Sequence, residues 1–222
     1  MTSTVGPPRK ILSVGLTGGI ACGRTTVCTI LARLGACVID MDHLAHVLVA
    51  PGGKAVSKVV EAFGDGVRDA RGGVDRKALG KIVFHDPARR ASLEAILHPM
   101  IRAESEKIIE QFARARGRGI AVTDAALLVE TGAHRNYDRL VVVVCEPHLQ
   151  LRRLMARDSL PEQEASARIA AQAPLEEKVK LADHVIDTSG TLAETEARAH
   201  DVYALLIDEL DRESDPTGRR RT

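Results

Sequence analysis

The residues with the clearest capacity for chemistry lie near the start of the 222-residue chain, in the run Gly18-Gly19-Ile20-Ala21-Cys22-Gly23-Arg24-Thr25-Thr26. Gly18, Gly23 and Thr25 meet the spacing G-x-x-x-x-G-K-[ST], with Arg24 in the place of lysine. A loop of this kind curls successive backbone N–H groups around a polyphosphate at a helix N-terminus, where unpaired donors and the helix dipole favour negative charge. Its glycines permit positive φ and close backbone approach. The hydroxyl after the basic residue, here Thr25, can ligate Mg²⁺. Arg24 keeps the positive charge, but its planar fork is bulkier than an ammonium and threads the loop differently. Ala21 costs about 1 kcal/mol if its position needs positive φ. Cys22, near a helix N-terminus, has either a lowered, oxidisable thiol or the simpler job of fitting a tight loop, and the simpler job is the expectation. A bare tight turn would also satisfy the glycines; a strand before and a helix after favour the phosphate reading.

Acids and arginines further along suit the same chemistry. Asp40 and Asp42 stand just past an apolar strand, where either can act as general base toward a hydroxyl or orient metal-bound water. Asp124 ends another strand and is a candidate on the Mg²⁺ side. Each acid alone also fits a helix N-cap. Arg153 and Arg157 are four apart and share a helix face, and Arg168 follows on the next helix. Arginines closing over a transferring phosphoryl group neutralise its developing charge.

These residues need elements to position them. Ile11–Leu16, Ala36–Ile39, Ile120–Thr123, Leu140–Val144 and His184–Ile186 read as short apolar strands. Val27, Ile30, Leu31 and Leu34 make one helix face, with Gly35 as a stop. Thr191 and Glu194 form a capping box for a last helix running to about Leu210. Strands separated by helices predict a parallel α/β sheet. Between the second and third strands the chain far exceeds the dozen or so residues a crossover needs. That excess reads as helices at 54–63, 75–84 and 87–97, then a separate long helix after His98-Pro99 to about Arg116. A second, arginine-rich helical excursion follows the fourth strand. Both leave from carboxyl ends of strands, the edge where ligands of open α/β sheets sit. They suggest a substrate domain and a lid.

Composition excludes several alternatives. Thirty-one basic residues against 30 acidic leave no global field for nucleic acid or an anionic membrane. Three phenylalanines, two tyrosines and no tryptophan make no stacking platform for single strands. Four cysteines without a C-x-x-C pair suit a reducing cytosol. Arg9-Lys10, an apolar stretch and Gly19-Ile20-Ala21-Cys22 imitate a lipoprotein signal. The glycines weaken that stretch, and it is too short to span a membrane, so the expectation is a cytoplasmic chain.

Leu16-Thr17-Gly18-Gly19-Ile20, Val38-Ile39-Asp40-Met41-Asp42, Leu97-His98-Pro99, Leu127-Leu128-Val129-Glu130, Gln150-Leu151-Arg152-Arg153 with Arg157, Ile169-Ala170-Ala171-Gln172 and Ala182-Asp183-His184-Val185-Ile186-Asp187 occur in that order. From about Ile11 to Leu206 the chain resembles the dephospho-CoA kinases. The resemblance implies a P-loop NTPase fold, three-layer α/β/α with a five-stranded parallel sheet. It implies a nucleotide-binding core at 10–45, 118–146 and 182–212, a helical CoA-side substrate domain at 46–117 and a lid at 147–181, while the polar residues 213–222 read as a flexible tail. It implies transfer of the γ-phosphoryl of ATP, with Mg²⁺, to the ribose 3′-hydroxyl of dephospho-CoA, by a monomer or weak homo-oligomer acting on small molecules only. By position, Asp42, Arg24 and Arg153 would be catalytic. Gly18, Gly19, Ala21, Cys22, Gly23, Arg24, Thr25, Thr26 and Arg157 would bind ATP. Thr17, Asp42 and His98 would bind substrate, and Thr25 and Asp124 the metal. The family's loop usually reads Gly-Ile-Gly-Ser-Gly-Lys, so Ala21, Cys22 and Arg24 depart from it, as do Ala126 and Thr188 from its usual proline and asparagine. Arg24 motivates an alternative: a nucleotide- or CoA-binding homologue with weakened catalysis, acting as a sensor.

Overall fold

The computed structural model describes residues 10–84 and 86–212. The tail at 213–222 and the residues before Lys10 lie outside the described residues. The chain divides into two units, one holding residues up to Ile39 and from Gln111 onward, the other Asp40–Glu110.

The first unit is built on strands β1 (Lys10–Gly18), β2 (Cys37–Asp40), β3 (Arg118–Asp124), β4 (Arg139–Val144) and β5 (His184–Asp187). Their order is β2-β3-β1-β4-β5, and β1 pairs in parallel with both β3 and β4, as β4 does with β5. β1 is therefore the central strand: from it the chain builds β2 and β3 on one side and then crosses to β4 and β5 on the other. That is the switch point at which open α/β sheets bind ligands.

Alternation along the strands explains why both faces are covered. Val141 and Val143 join Leu12, Val14, Leu16 and Ile186 in one apolar cluster, while Leu140 and Val142 join Leu128 in another. The first cluster is closed by α1 (Arg24–Arg33) and α9 (Leu192–Arg212), whose contributors include Val27, Leu31, Leu206 and Leu210. The capping box starts α9: the Glu194 N–H donates to Thr191 Oγ1 at 3.2 Å, and the Thr191 N–H donates to Glu194 Oε2 at 2.7 Å. Helices α6 (Pro147–Asp158), α7 (Glu162–Ala170) and α8 (Leu175–Leu181) make up the arginine-rich excursion.

The second unit holds α2 (Met41–Val49), α3 (Val56–Phe63), α4 (Arg76–Phe84) and most of α5 (Pro87–Arg116) around a core of Leu48, Val49, Val59, Val60, Leu79 and Ile101. Two expectations are corrected here. The sequence reading placed no helix at α2, yet Met41, Leu44, Ala45, Leu48 and Val49 recur at helical spacing and all enter this core. The break expected at His98-Pro99 does not occur: α5 runs unbroken for 30 residues with Pro99 inside it. An internal proline costs about 3 kcal/mol. It is tolerated because Leu93, Ile96, Leu97, Met100 and Ile101 form one apolar stripe that continues across the proline into a single core.

Candidate active site

Between the end of β1 at Gly18 and the start of α1 at Arg24, the chain makes a tight loop. The Cys22 N–H donates to the Gly19 carbonyl at 3.1 Å, closing a four-residue turn. Ala21, third in that turn, has φ +59°, and Gly23, capping α1, has φ +86°. Ala21 therefore holds the left-handed conformation suspected from sequence. The backbone N–H groups of Ala21, Gly23, Arg24, Thr25 and Thr26 have no partner among the described residues. Orphan donors are inherent to a helix start. Four of these residues, Ala21, Gly23, Arg24 and Thr25, line an open cavity of about 260 Å³ together with Gly19, Cys22, Arg153 and Arg157. A second cavity of about 280 Å³ shares Gly23 and Arg153 with it and adds Thr26, Thr188, Gly190, Leu192 and Thr195.

Four cations or hydroxyls of this site have definite partners. Arg24 Nη1 is ion-paired with Asp124 at the end of β3. Arg153 donates from Nη1 to Thr188 Oγ1 at 3.0 Å and from Nη2 to the Thr188 carbonyl at 2.8 Å. The Thr188 hydroxyl in turn donates to the Cys22 carbonyl at 2.8 Å, so Arg153 is linked to the loop through Thr188. Arg157 forms a two-point pair with Asp158 at 2.7 and 3.0 Å, which raises the Arg157 pKa and lowers that of Asp158. Arg168 bonds Glu164 and Asp158 rather than lining the cavity.

Other expected residues are placed differently. Thr17 is fully buried, and its hydroxyl donates to the Ala126 carbonyl at 3.0 Å. There it braces the loop root. Asp40 is the N-cap of α2, accepting from the His43 N–H at 2.8 Å. Asp42, in the first turn of α2, and His98, on α5, are exposed in the second unit. The reactive alternative for Cys22 is also corrected. Cys22 is buried, its sulfur is 3.4 Å from that of Cys145, and the contact with that thiol together with burial pushes its pKa up. A protonated thiol packed this way fills space.

Three residues of the arginine-rich excursion were assigned no role by sequence reasoning, although two sit in quoted motifs. Gln150 donates from Nε2 to the Ile20 carbonyl at 2.9 Å, and Gln172 accepts the Ile20 N–H on Oε1 at 2.7 Å. Lys178 has a fully buried side chain. Its Nζ lies 2.7 Å from Glu130 Oε1, 3.1 Å from the Ala126 carbonyl and 3.5 Å from the Gly18 carbonyl. Burial pushes the Glu130 carboxyl up, but the Lys178 ammonium and the Ala173 N–H outweigh it and hold the carboxyl below its ordinary value. In the run Leu175-Glu176-Glu177-Lys178-Val179-Lys180, Lys178 reads as a solvated helix charge; only the fold reveals its burial.

The donor set also suits Mg²⁺. That ion takes few protein ligands and completes its shell with water and substrate phosphates. The Thr25 side chain is exposed, lines the first cavity and lies in the first turn of α1; Asp124 offers a strand-end carboxylate beside Arg24. Among the described residues no cluster of three or more acids, histidines or cysteines forms a closed metal site. No helix of the described residues is long and apolar enough to cross a membrane.

A family model described as dephospho-CoA kinase matches residues 12–194. The dephospho-CoA kinase of Geobacter sulfurreducens is 48% identical over 191 residues, covering 86% of this chain and 96% of the relative. That of Aromatoleum aromaticum is 48% identical over 195 residues, covering 87% and 93%. A crystal structure from Thermus thermophilus aligns with TM-score 0.75 at 32% identity, over 90% of this chain and 98% of that one. A dephospho-CoA kinase structure from Campylobacter jejuni aligns with TM-score 0.57 at 28% identity, over 90% and 97%.

Proposed function

The chain belongs to the dephospho-CoA kinase family, and we propose on that premise that it transfers the γ-phosphoryl group of ATP to the ribose 3′-hydroxyl of dephospho-CoA. The products are coenzyme A and ADP, and the step completes coenzyme A synthesis. One observation carries the assignment of the phosphate site: Ala21, Gly23, Arg24 and Thr25, whose amides are unpaired, line one cavity with Arg153 and Arg157 beyond the end of the central strand.

The loop amides hold the β- and γ-phosphates, and the dipole of α1 adds to their pull. Thr25 and Asp124 are the side chains that would hold Mg²⁺, which when bound offsets the charge on the β- and γ-phosphates. Arg24, kept in place by Asp124, stands where a lysine is usual and serves the same charge. Arg153 moves its fork from Thr188 to the transferring phosphoryl, and Arg157 exchanges Asp158 for phosphate oxygens. The second cavity, which shares Gly23 and Arg153 with the first, suits the nucleoside end of ATP. Asp42 takes the proton of the 3′-hydroxyl as its oxygen bonds to the γ-phosphorus and the bond from that phosphorus to the β,γ-bridging oxygen breaks. His98 is assigned to substrate binding. The protein acts in the cytoplasm on small molecules, with no nucleic-acid partner.

A coupled assay of ADP release in the presence of dephospho-CoA tests the reading. Turnover is expected with dephospho-CoA, and much less with adenosine or AMP. Asp42→Asn is expected to lower kcat by about 10²- to 10⁴-fold with ATP binding retained. Binding of ATP without any turnover by the wild type would instead favour the sensor alternative that Arg24 suggested.

A further inference from the structure

We propose that Gln150 and Gln172 are positioning residues of the phosphate loop: together they clamp both backbone groups of Ile20 and so aim the Ala21 N–H at the bound polyphosphate. The inference rests on the phosphate-loop reading above, and it does not depend on the acceptor's identity.

Ile20 is the second residue of the turn from Gly19 to Cys22. In such a turn the central peptide, between the second and third residues, can face either way. Positive φ at the third residue belongs to one of the two orientations, the one that favours glycine there. This chain has Ala21 at that position, at φ +59°. Its turn therefore lacks the conformational help glycine would give. The glutamines supply what the residue type does not. Gln150 Nε2 donates to the Ile20 carbonyl at 2.9 Å, fixing the direction of the central peptide. A trans peptide points its C=O and N–H oppositely. Holding the Ile20 carbonyl on the Gln150 side therefore turns the Ala21 N–H to the other side. Ala21 lines the first cavity, and its N–H has no other partner among the described residues. Gln172 Oε1 accepts the Ile20 N–H at 2.7 Å and fixes the preceding peptide in the same manner. The carbonyl of that peptide, on Gly19, then meets the Cys22 N–H at 3.1 Å.

The clamp also explains the second glycine of the loop. A Cβ on Gly19 would lie 2.6 Å from Gln150 Nε2 and 2.8 Å from the Cys22 sulfur, so only glycine lets the Gln150 amide reach the backbone behind it. Gln150 is itself buried at 7% exposure, which leaves its amide little access to competing water. The two side chains come from α6 and from the stretch between α7 and α8, so two separate segments of the arginine-bearing excursion grip one loop residue.

The bonds have opposite polarity, and that makes the test specific. ATP binding to the full-length protein is measured by calorimetry with Mg²⁺, alongside KM for each substrate and thermal melting. Gln150→Glu sets a carboxylate against a carbonyl, while Gln172→Glu keeps an acceptor for the Ile20 N–H. Each adds one negative charge, so the contrast between them reads hydrogen-bond polarity. Gln150→Glu is expected to weaken ATP binding more than tenfold and Gln172→Glu distinctly less. The neutral variants Gln150→Met and Gln172→Met are each expected to weaken it about three- to tenfold, the usual worth of one hydrogen bond. KM for dephospho-CoA should stay unchanged, and the Met losses should shrink in an Ala21→Gly background. If Gln150→Glu does not fold, the Met variants in the two backgrounds decide the matter. Equal losses from the two Glu variants, or Met variants that bind ATP like the wild type, would overturn the clamp while leaving the kinase reading intact. A wild type that binds no ATP would overturn both.

Discussion

Within residues 147–181, two sets of polar side chains behave in opposite ways. Gln150, Gln172 and Lys178 reach the backbone of the phosphate loop and its root, and Lys178 does so from complete burial. Arg157 and Arg168 are 55% and 46% exposed and are paired with acids of their own segment. Arg153 stands between them, partly buried, with its fork on Thr188. The first set grips groups that do not change during a reaction. The second grips groups that an incoming phosphate can replace. A single helical excursion thus supplies both fixed support and exchangeable charge, and burial separates the two.

The contrast breaks most visibly at Lys178. Lys178→Met leaves Glu130 and the Ala126 carbonyl without the ammonium between them. Glu130 keeps access to water, so the expected loss is that of leaving buried carbonyls without their donor, about 1–3 kcal/mol of unfolding free energy. Thermal or urea melting measures this, and an unchanged midpoint would mean the buried lysine is not a support. Arg153→Ala should show the reverse pattern. The expected kcat loss is about 10²-fold, typical of removing one donor to developing charge. Its melting temperature should stay close to that of the wild type.

Acid titration sharpens the distinction further. The Glu130 carboxyl is held below its ordinary value of 4.5 in the fold, so folding favours its ionised form. Its contribution is complete above that ordinary value and is lost as pH falls through the lowered folded value. Melting curves of the wild type should therefore decline over that acid range, and the decline should be shallower in Glu130→Gln. The smallest effect is expected at Asp158→Asn. This frees Arg157 from an exposed pair, so KM for ATP should fall, by no more than about fivefold given the small worth of such pairs. A rise in KM would mean that Asp158 orients Arg157 rather than competing with phosphate for it.

Much of the architecture was legible because its signals are local. The run Leu140–Val144 is β-branched and apolar on both faces, so it could only be an interior strand. The capping box at Thr191 marked the start of α9 within a residue. Two features misled. Pro99 reads as a helix break, since proline's penalty is local while the apolar stripe that outweighs it is shared with α2, α3 and α4. Asp40 and Asp42 read as site acids at a strand end, while the helical spacing of Met41, Leu44, Ala45 and Leu48 gains its meaning only from the core they share. Of the residues lining the first cavity, Gly23, Arg24, Thr25 and Arg153 stand out by spacing and type. Gln150, Gln172 and Lys178 do not, because an amide or ammonium in a charged helical run looks the same whether it meets water or a backbone carbonyl.

The sequence by itself determined that a strand, a glycine-rich turn and a helix would present an anion-binding loop, since turn and helix preferences act over a few residues. It also determined which cations were available to serve that loop. Only the tertiary structure decided which of them are held by Asp124, Thr188 or Asp158, and which glutamines stand behind Ile20. The contacts of Arg24 with Asp124 and of Ile20 with Gln150 and Gln172 join residues 100, 130 and 152 positions apart, beyond the reach of local preferences, and burial sets their worth.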